Sequence, residues 1–178
     1  STVAYTATTA TTLGTNYWNL NIGTTADGTT TTYTLGSNTT VRNLLTIGNA
    51  SSTATDTLNG GSYTLTLQGR EVQVPMNITT WGAFDGGTGT AKYTRDGVTN
   101  IAAATYNNLQ FLPGGATGNY ILGNNSSQTI TVNGNLDIGR DVNGVAIDAD
   151  TYDPAVTVKG NLTVGYCSAS CGANQVTI

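Results

Sequence analysis

One nine-residue phrase, written three times, constrains this chain more than any other feature. The copies are Thr40-Val41-Arg42-Asn43-Leu44-Leu45-Thr46-Ile47-Gly48, Thr131-Val132-Asn133-Gly134-Asn135-Leu136-Asp137-Ile138-Gly139 and Thr157-Val158-Lys159-Gly160-Asn161-Leu162-Thr163-Val164-Gly165. Apolar residues alternate with polar ones, Leu136 with Ile138 and Leu162 with Val164, which is the period of a pleated strand with one buried face. Each copy closes on a glycine able to turn the chain. Val132 and Val158 carry the pattern back across an Asn-Gly or Lys-Gly step, where a bulge or tight turn is expected. The second and third copies start at Thr131 and Thr157, about 26 residues apart, a spacing that suits one coil of a stacked sheet.

A longer echo surrounds the phrase. Thr2-Val3-Ala4-Tyr5-Thr6 returns as Thr90-Ala91-Lys92-Tyr93-Thr94, Tyr17-Trp18-Asn19-Leu20 as Tyr106-Asn107-Asn108-Leu109, and Tyr33-Thr34-Leu35-Gly36 as Tyr120-Ile121-Leu122-Gly123. The chain therefore divides into two β repeat units of about 90 residues, residues 1–88 and 89–178, expected to form one continuous domain. The second unit carries an acidic loop over residues 141–153 and a C-terminal cysteine loop, and the tail Asn174-Gln175-Val176-Thr177-Ile178 reads as one more short strand. No segment has helical periodicity, and Pro75, Pro113 and Pro154 fall at expected strand ends or loops.

Composition agrees with an all-β chain. Only 9% of its residues are charged, against about 25% in an ordinary soluble domain. Roughly a fifth are Thr, with 23 Gly, residue types suited to strands and to the turns between them. The net charge of -4 and six scattered Lys and Arg exclude the basic stripe of a nucleic-acid partner. No apolar run is long enough to span a membrane and no signal peptide opens the chain, so a mature, exported product with no membrane insertion is the expectation. Little electrostatic repulsion opposes side-by-side packing of such chains, and uncharged strand edges template further strands. That points to copies of itself as partners.

The chemistry-bearing residues are few. Cys167 and Cys171 are spaced for a small local disulfide, two free buried thiols being the alternative, and without His they are too few for zinc. Asp141, Asn143, Asp148, Asp150 and Asp153 supply candidate oxygen ligands for calcium, without the spacing or closing Glu of an EF-hand. A solvated loop with no ion is the competing reading, and no cofactor is required. Asn-x-Ser/Thr acceptors stand at Asn38, Asn49, Asn77, Asn124, Asn125 and Asn161, candidates for glycosylation in an exported chain. The absence of His and of a nucleophile elbow removes the usual triads. Asp148 and Asp150, at alternate positions of one loop, do not define a carboxylate pair across a substrate. A non-enzyme is expected. Trp18, Trp81, Phe84, Phe111 and the nine Tyr are read as core plugs or stacked ladders ahead of an exposed platform for sugar rings.

Gly89 to Tyr93 (Gly-Thr-x-x-Tyr), Tyr106 to Leu109, Thr131 to Gly139 and Gly60 to Leu65 together resemble the tandem repeats of large bacterial and archaeal cell-surface proteins. These are adhesin-like or autotransporter-passenger-like chains. The resemblance covers most of the chain, describes a style of architecture and brings no catalytic residues. It implies a β-helix. Such repeats usually belong to very long polypeptides, so two units imply either an excised fragment or a small subunit that rebuilds the array by polymerising. The expected fold is a β-solenoid, with a β-sandwich exchanging a donor strand as the alternative. The expected function is an extracellular structural subunit that self-assembles through strand edges or terminal strands into a filament, pilus-like fibre or sheath. The alternative is a segment of a surface adhesin that binds glycans or other cells.

Overall fold

The computed structural model describes residues 1–8, 11–23, 28–49, 54–139, 144–165 and 176–177. Among them it has strands and turns and no helix, so no helix is long and apolar enough to cross a membrane. The strands of the first half are β1 (Thr2–Tyr5), β2 (Thr11–Leu13), β3 (Asn16–Ile22), β4 (Thr32–Leu35), β5 (Thr39–Ile47), β6 (Asp56–Asn59), β7 (Thr64–Leu67), β8 (Met76–Ile78) and β9 (Gly82–Asp85). Those that follow are β10 (Thr90–Tyr93), β11 (Gly97–Ile101), β12 (Thr105–Tyr106), β13 (Asn108–Phe111), β14 (Gly118–Leu122) and β15 (Thr129–Val132). The last five are β16 (Leu136–Ile138), β17 (Val145–Asp148), β18 (Ala155–Val158), β19 (Leu162–Val164) and β20 (Val176–Thr177).

Every pairing among these strands is parallel. A first sheet runs β1-β3-β5-β7-β10-β13-β16-β19, with β8 on the far half of β5; a second runs β2-β4-β6-β9-β12-β15-β18; a third runs β11-β14-β17-β20. From β9 onward the chain visits the second, first and third sheets in turn, four times over. A sandwich built of antiparallel hairpins has no such order. This is the arrangement of a β-solenoid, in which each coil contacts the coils before and after it. Pairing is continuous across residue 88, since β7 pairs β10 and β9 pairs β12.

The repeated phrase does not occupy one structural position. Its first copy lies almost wholly within the single strand β5 of the first sheet. The second and third copies turn a corner inside the phrase, from β15 to β16 and from β18 to β19, and so pass from the second sheet to the first. The turn falls at the Asn-Gly and Lys-Gly steps. There Gly160 N–H donates to Gly134 O at 3.1 Å, and a side chain at Gly160 would run into that same carbonyl oxygen. The first copy has Asn43 at the corresponding place and continues as one strand, with a slip in register against β3 at Arg42 and Asn43. The segment read as one acidic loop also differs, because Val145 and Ile147 alternate inward and make β17 a strand paired with β14. Glu71 to Val74 links β7 to β8, and Gln73 O accepts from Asn100 N–H of β11 at 2.7 Å.

Inward residues stack in register from coil to coil. One column is Leu65, Ala91, Leu109, Leu136 and Leu162; the next is Val41, Leu67, Tyr93, Phe111, Ile138 and Val164. Tyrosines plug the interior, and each finds a partner for its hydroxyl, as a buried polar tip requires. Tyr93 and Tyr106 hydroxyls lie 3.0 Å apart, and Tyr106 also donates to Ala102 O at 2.7 Å. Tyr5 and Tyr17 repeat the pair at 3.1 Å. Tyr33 donates to Ala7 O at 2.8 Å and Tyr120 to Arg95 O at 3.2 Å. Phe111 stacks on Tyr120 with centroids 4.9 Å apart.

These tyrosines make stability sensitive to alkali. Burial, with the Asp56 charge second, pushes Tyr33 from 10.0 up to about 12. Burial also raises Tyr93, Tyr106 and Tyr120 well above the ordinary value. Below about pH 10 both folded and unfolded chains hold these protons, and stability is at its full value. As pH rises further the unfolded chain loses them first, so stability falls by about 1.4 kcal/mol per pH unit for each tyrosine until the folded values are reached. Urea midpoints recorded across alkaline pH, with tyrosinate absorbance followed in parallel, are expected to show a flat region that breaks downward above about pH 10. A midpoint already falling below pH 9 would place the loss on other groups.

Candidate functional site: the open end coils

The interior columns do not close at the ends of the stack. Leu162 and Val164 continue the columns of buried Leu136 and Ile138, yet they are 54% and 41% exposed. Val156 sits in line with buried Ile130 and is 39% exposed. At the other end Val3 stacks on fully buried Leu20 and is 38% exposed. Among the described residues these four are the exposed large hydrophobic side chains, and all lie on the terminal strands β1, β18 and β19. Their alternation is that of core positions, so each is a core residue that, among the described residues, has a neighbouring coil on one side only.

The backbone is equally open. β1 and β19 end the first sheet, and β2 and β18 end the second. Among the described residues each therefore presents one row of N–H and C=O groups along the stack axis, the template on which another parallel strand pairs. An asparagine ladder follows the same corner from coil to coil: Asn108 Oδ1 accepts from Asn135 N–H at 3.0 Å, and Asn135 Oδ1 accepts from Asn161 N–H at 3.1 Å, each step 26 or 27 residues long. Asn161 is the last rung of that ladder. A further coil with an amide at the same corner would extend it.

Asp141, Asn143, Cys167 and Cys171 lie outside the described residues. Asp148 accepts from Asp150 N–H and Thr151 N–H at 3.0 Å and from the Thr151 hydroxyl at 2.6 Å. The Thr151 hydroxyl, then its amide, holds this carboxyl below the ordinary value. Asp148 thus serves its own turn, while Asp150 and Asp153 are exposed beyond it. Among the described residues no three acidic, Cys or His side chains come together as a metal-holding group.

Of the Asn-x-Ser/Thr acceptors, Asn38 is engaged with Thr64 N–H at 2.9 Å, Asn124 with Gln128 Nε2 at 2.8 Å and Asn125 with Ser126 N–H at 2.8 Å. Asn77 is exposed on β8 and Asn161 on the end-coil corner, while Asn49 is half-buried. Alternation identified Leu162 and Val164 as inward residues, but no sequence signal marks them as belonging to the last coil. Comparison of the chain with protein-family models, curated proteins and solved structures finds no match.

Proposed function

We propose that this chain is an extracellular structural subunit that assembles end to end into a filament or sheath, the C-terminal coil of one copy receiving the N-terminal coil of the next. One observation carries the reading: the exposed large hydrophobic residues among the described ones are core-facing positions on the terminal strands. A contact between two different ends is heterologous, and a heterologous contact that does not close gives an open fibre. Burying each of these half-exposed side chains contributes on the order of 1 kcal/mol, to which backbone pairing along the open edges adds. Association costs several kcal/mol of lost rigid-body freedom, so growth is concentration-dependent.

Two copies of one repeat, residues 1–88 and 89–178, fit this use of a stackable unit. The shared register of β1 on β3 and β10 on β13 and the two tyrosine hydroxyl pairs support that division. The low charge of the chain leaves the ends without strong like-charge repulsion.

Negative-stain electron microscopy and sedimentation velocity across a concentration series test the proposal. Fibres one stack wide that lengthen with concentration are expected. A chain that stays monomeric throughout would overturn it and transfer the weight to a segment of a long surface adhesin, whose end coils stack on other coils of the same polypeptide.

A further inference from the structure

Among the described residues Trp18, like Trp81 and Tyr152, is an aromatic residue that stands outside the core. It stands at an irregularity of the first sheet, where the register slips so that Tyr17 faces Val41 but Asn19 faces Leu44, and such a bulge re-aims a side chain. The indole is half-buried and lines an open groove of about 700 Å³ whose other principal residues are Gln68, Arg70, Glu71, Arg95 and Asp96, with Gly114 at the far end. These come from β3 and from the segments that follow β7, β10 and β13. The groove therefore runs along the stack axis, crossing the steps β3-β5-β7-β10-β13, a length of about 19 Å at the usual strand spacing.

Its walls are fixed by the protein's own bonds. Arg95 Nη1 donates to Gly69 O and Val72 O, and its Nε donates to Val98 O at 2.9 Å. Asp96 Oδ1 accepts from Gly115 N–H and Ala116 N–H, both at 3.2 Å. Arg70 N–H donates to Arg42 O at 2.9 Å, and Glu71 N–H to Asn43 Oδ1 at 2.9 Å. A groove held in this way needs no ordering when a ligand arrives, which favours affinity.

We propose that this groove binds an uncharged, extended saccharide chain, with a sugar ring lying on Trp18 and hydroxyls meeting Arg70, Glu71 and Gln68. Three observations select that class. The length and openness of the groove suit a polymer segment and not a compact cofactor, which is normally enclosed. Arg70 and Arg95 are matched by Glu71 and Asp96, and Arg95 is already bonded to three carbonyls, so the surface neither selects a polyanion nor resembles a phosphate track. The groove is lined by Trp18 of the inner strand β3 and by the segments that follow β7, β10 and β13, where Gln68, Arg70 and Thr94 N–H already bond to Val41, Arg42 and Leu67 O along the axis, so it offers no terminal strand edge for an extended peptide. What remains is a ligand with an apolar ring face, many neutral hydroxyls and a linear form.

The test is titration of the full chain with cellohexaose, maltohexaose, chitohexaose and, as a polyanion, hexagalacturonate, followed by tryptophan fluorescence and calorimetry. At least one neutral hexasaccharide is expected to bind and to perturb the indole signal. The variant Trp18→Ala is expected to weaken that binding about tenfold or more, and Trp81→Phe, outside the groove, to leave it unchanged. Circular dichroism checks that each variant folds, and Trp18→Phe, which retains an aromatic face, is expected to recover part of the affinity. Absence of binding by all three neutral chains, preference for hexagalacturonate, or binding indifferent to Trp18→Ala would each overturn the assignment.

Discussion

The double substitution Leu162→Lys/Val164→Lys is expected to leave the chain folded while removing its ability to associate end to end. Both side chains are already about half exposed, so an ammonium at the tip of a flexible stem reaches water in the isolated chain at little cost to folding. Adding the next coil would cover them. A desolvated ammonium with no partner costs several kcal/mol even after relaxation, so association is expected to weaken about a thousandfold or more. Lysine on an edge strand is also the device by which natural sheets avoid unwanted pairing. Sedimentation velocity at concentrations where the parent chain associates gives the comparison, with circular dichroism as the folding control. Unchanged assembly would show that copies meet through another surface. The same pair of substitutions on the buried neighbours, Leu136 and Ile138, is expected to unfold the stack, which separates an edge effect from a core effect.

The second large effect expected is at Phe111. Its ring is buried, lies 4.9 Å from Tyr120 in a stacked pair and 6.2 Å from Tyr93 edge-on, and sits in the column between Tyr93 and Ile138. Phe111→Ala removes that volume from the middle of the stack, and truncations of this kind cost about 3–5 kcal/mol, with aromatic pairing adding about 1 kcal/mol. Against a total stability of order 10 kcal/mol the loss is severe. In a stack whose coils contact only their neighbours, it also weakens the coupling between the two halves. Urea unfolding should show a lower midpoint and a broader transition than the parent. The outward Thr66→Ala on β7 is expected to stay within about 0.5 kcal/mol. A Phe111→Ala variant as stable as Thr66→Ala would mean that this column is not the core.

The proposed self-assembly and the proposed saccharide binding use different parts of the molecule, the ends of the stack and its flank. A filament of such coils would display one Trp18 groove per subunit along its length. Weak single-site binding would then act through many sites at once, provided their spacing matches the saccharide.

Much of this architecture is legible in the residues. Alternation in Leu136-Asp137-Ile138 and Leu162-Thr163-Val164 defines strands and their inward faces, the Gly-containing steps mark where the phrase turns, and scarce charge with abundant Thr and Gly agrees with an all-β chain. These are local properties, written within a few residues of where they act. Partner and direction of pairing are not local, because a period of two states which face is buried and is silent on which strand lies beside it. Hence the tertiary structure alone decides that all pairings among the described residues are parallel, that the first copy of the phrase stays within the single strand β5 while the later copies divide between two sheets, and that β17 interrupts the acidic segment. It alone decides the candidate sites as well. Leu136 and Leu162 have the same sequence environment, and what distinguishes them is that, among the described residues, Leu136 has a coil on both sides and Leu162 on one. Trp18 reads as another core aromatic until the slip in register against Arg42 and Asn43 turns it toward residues from three later coils.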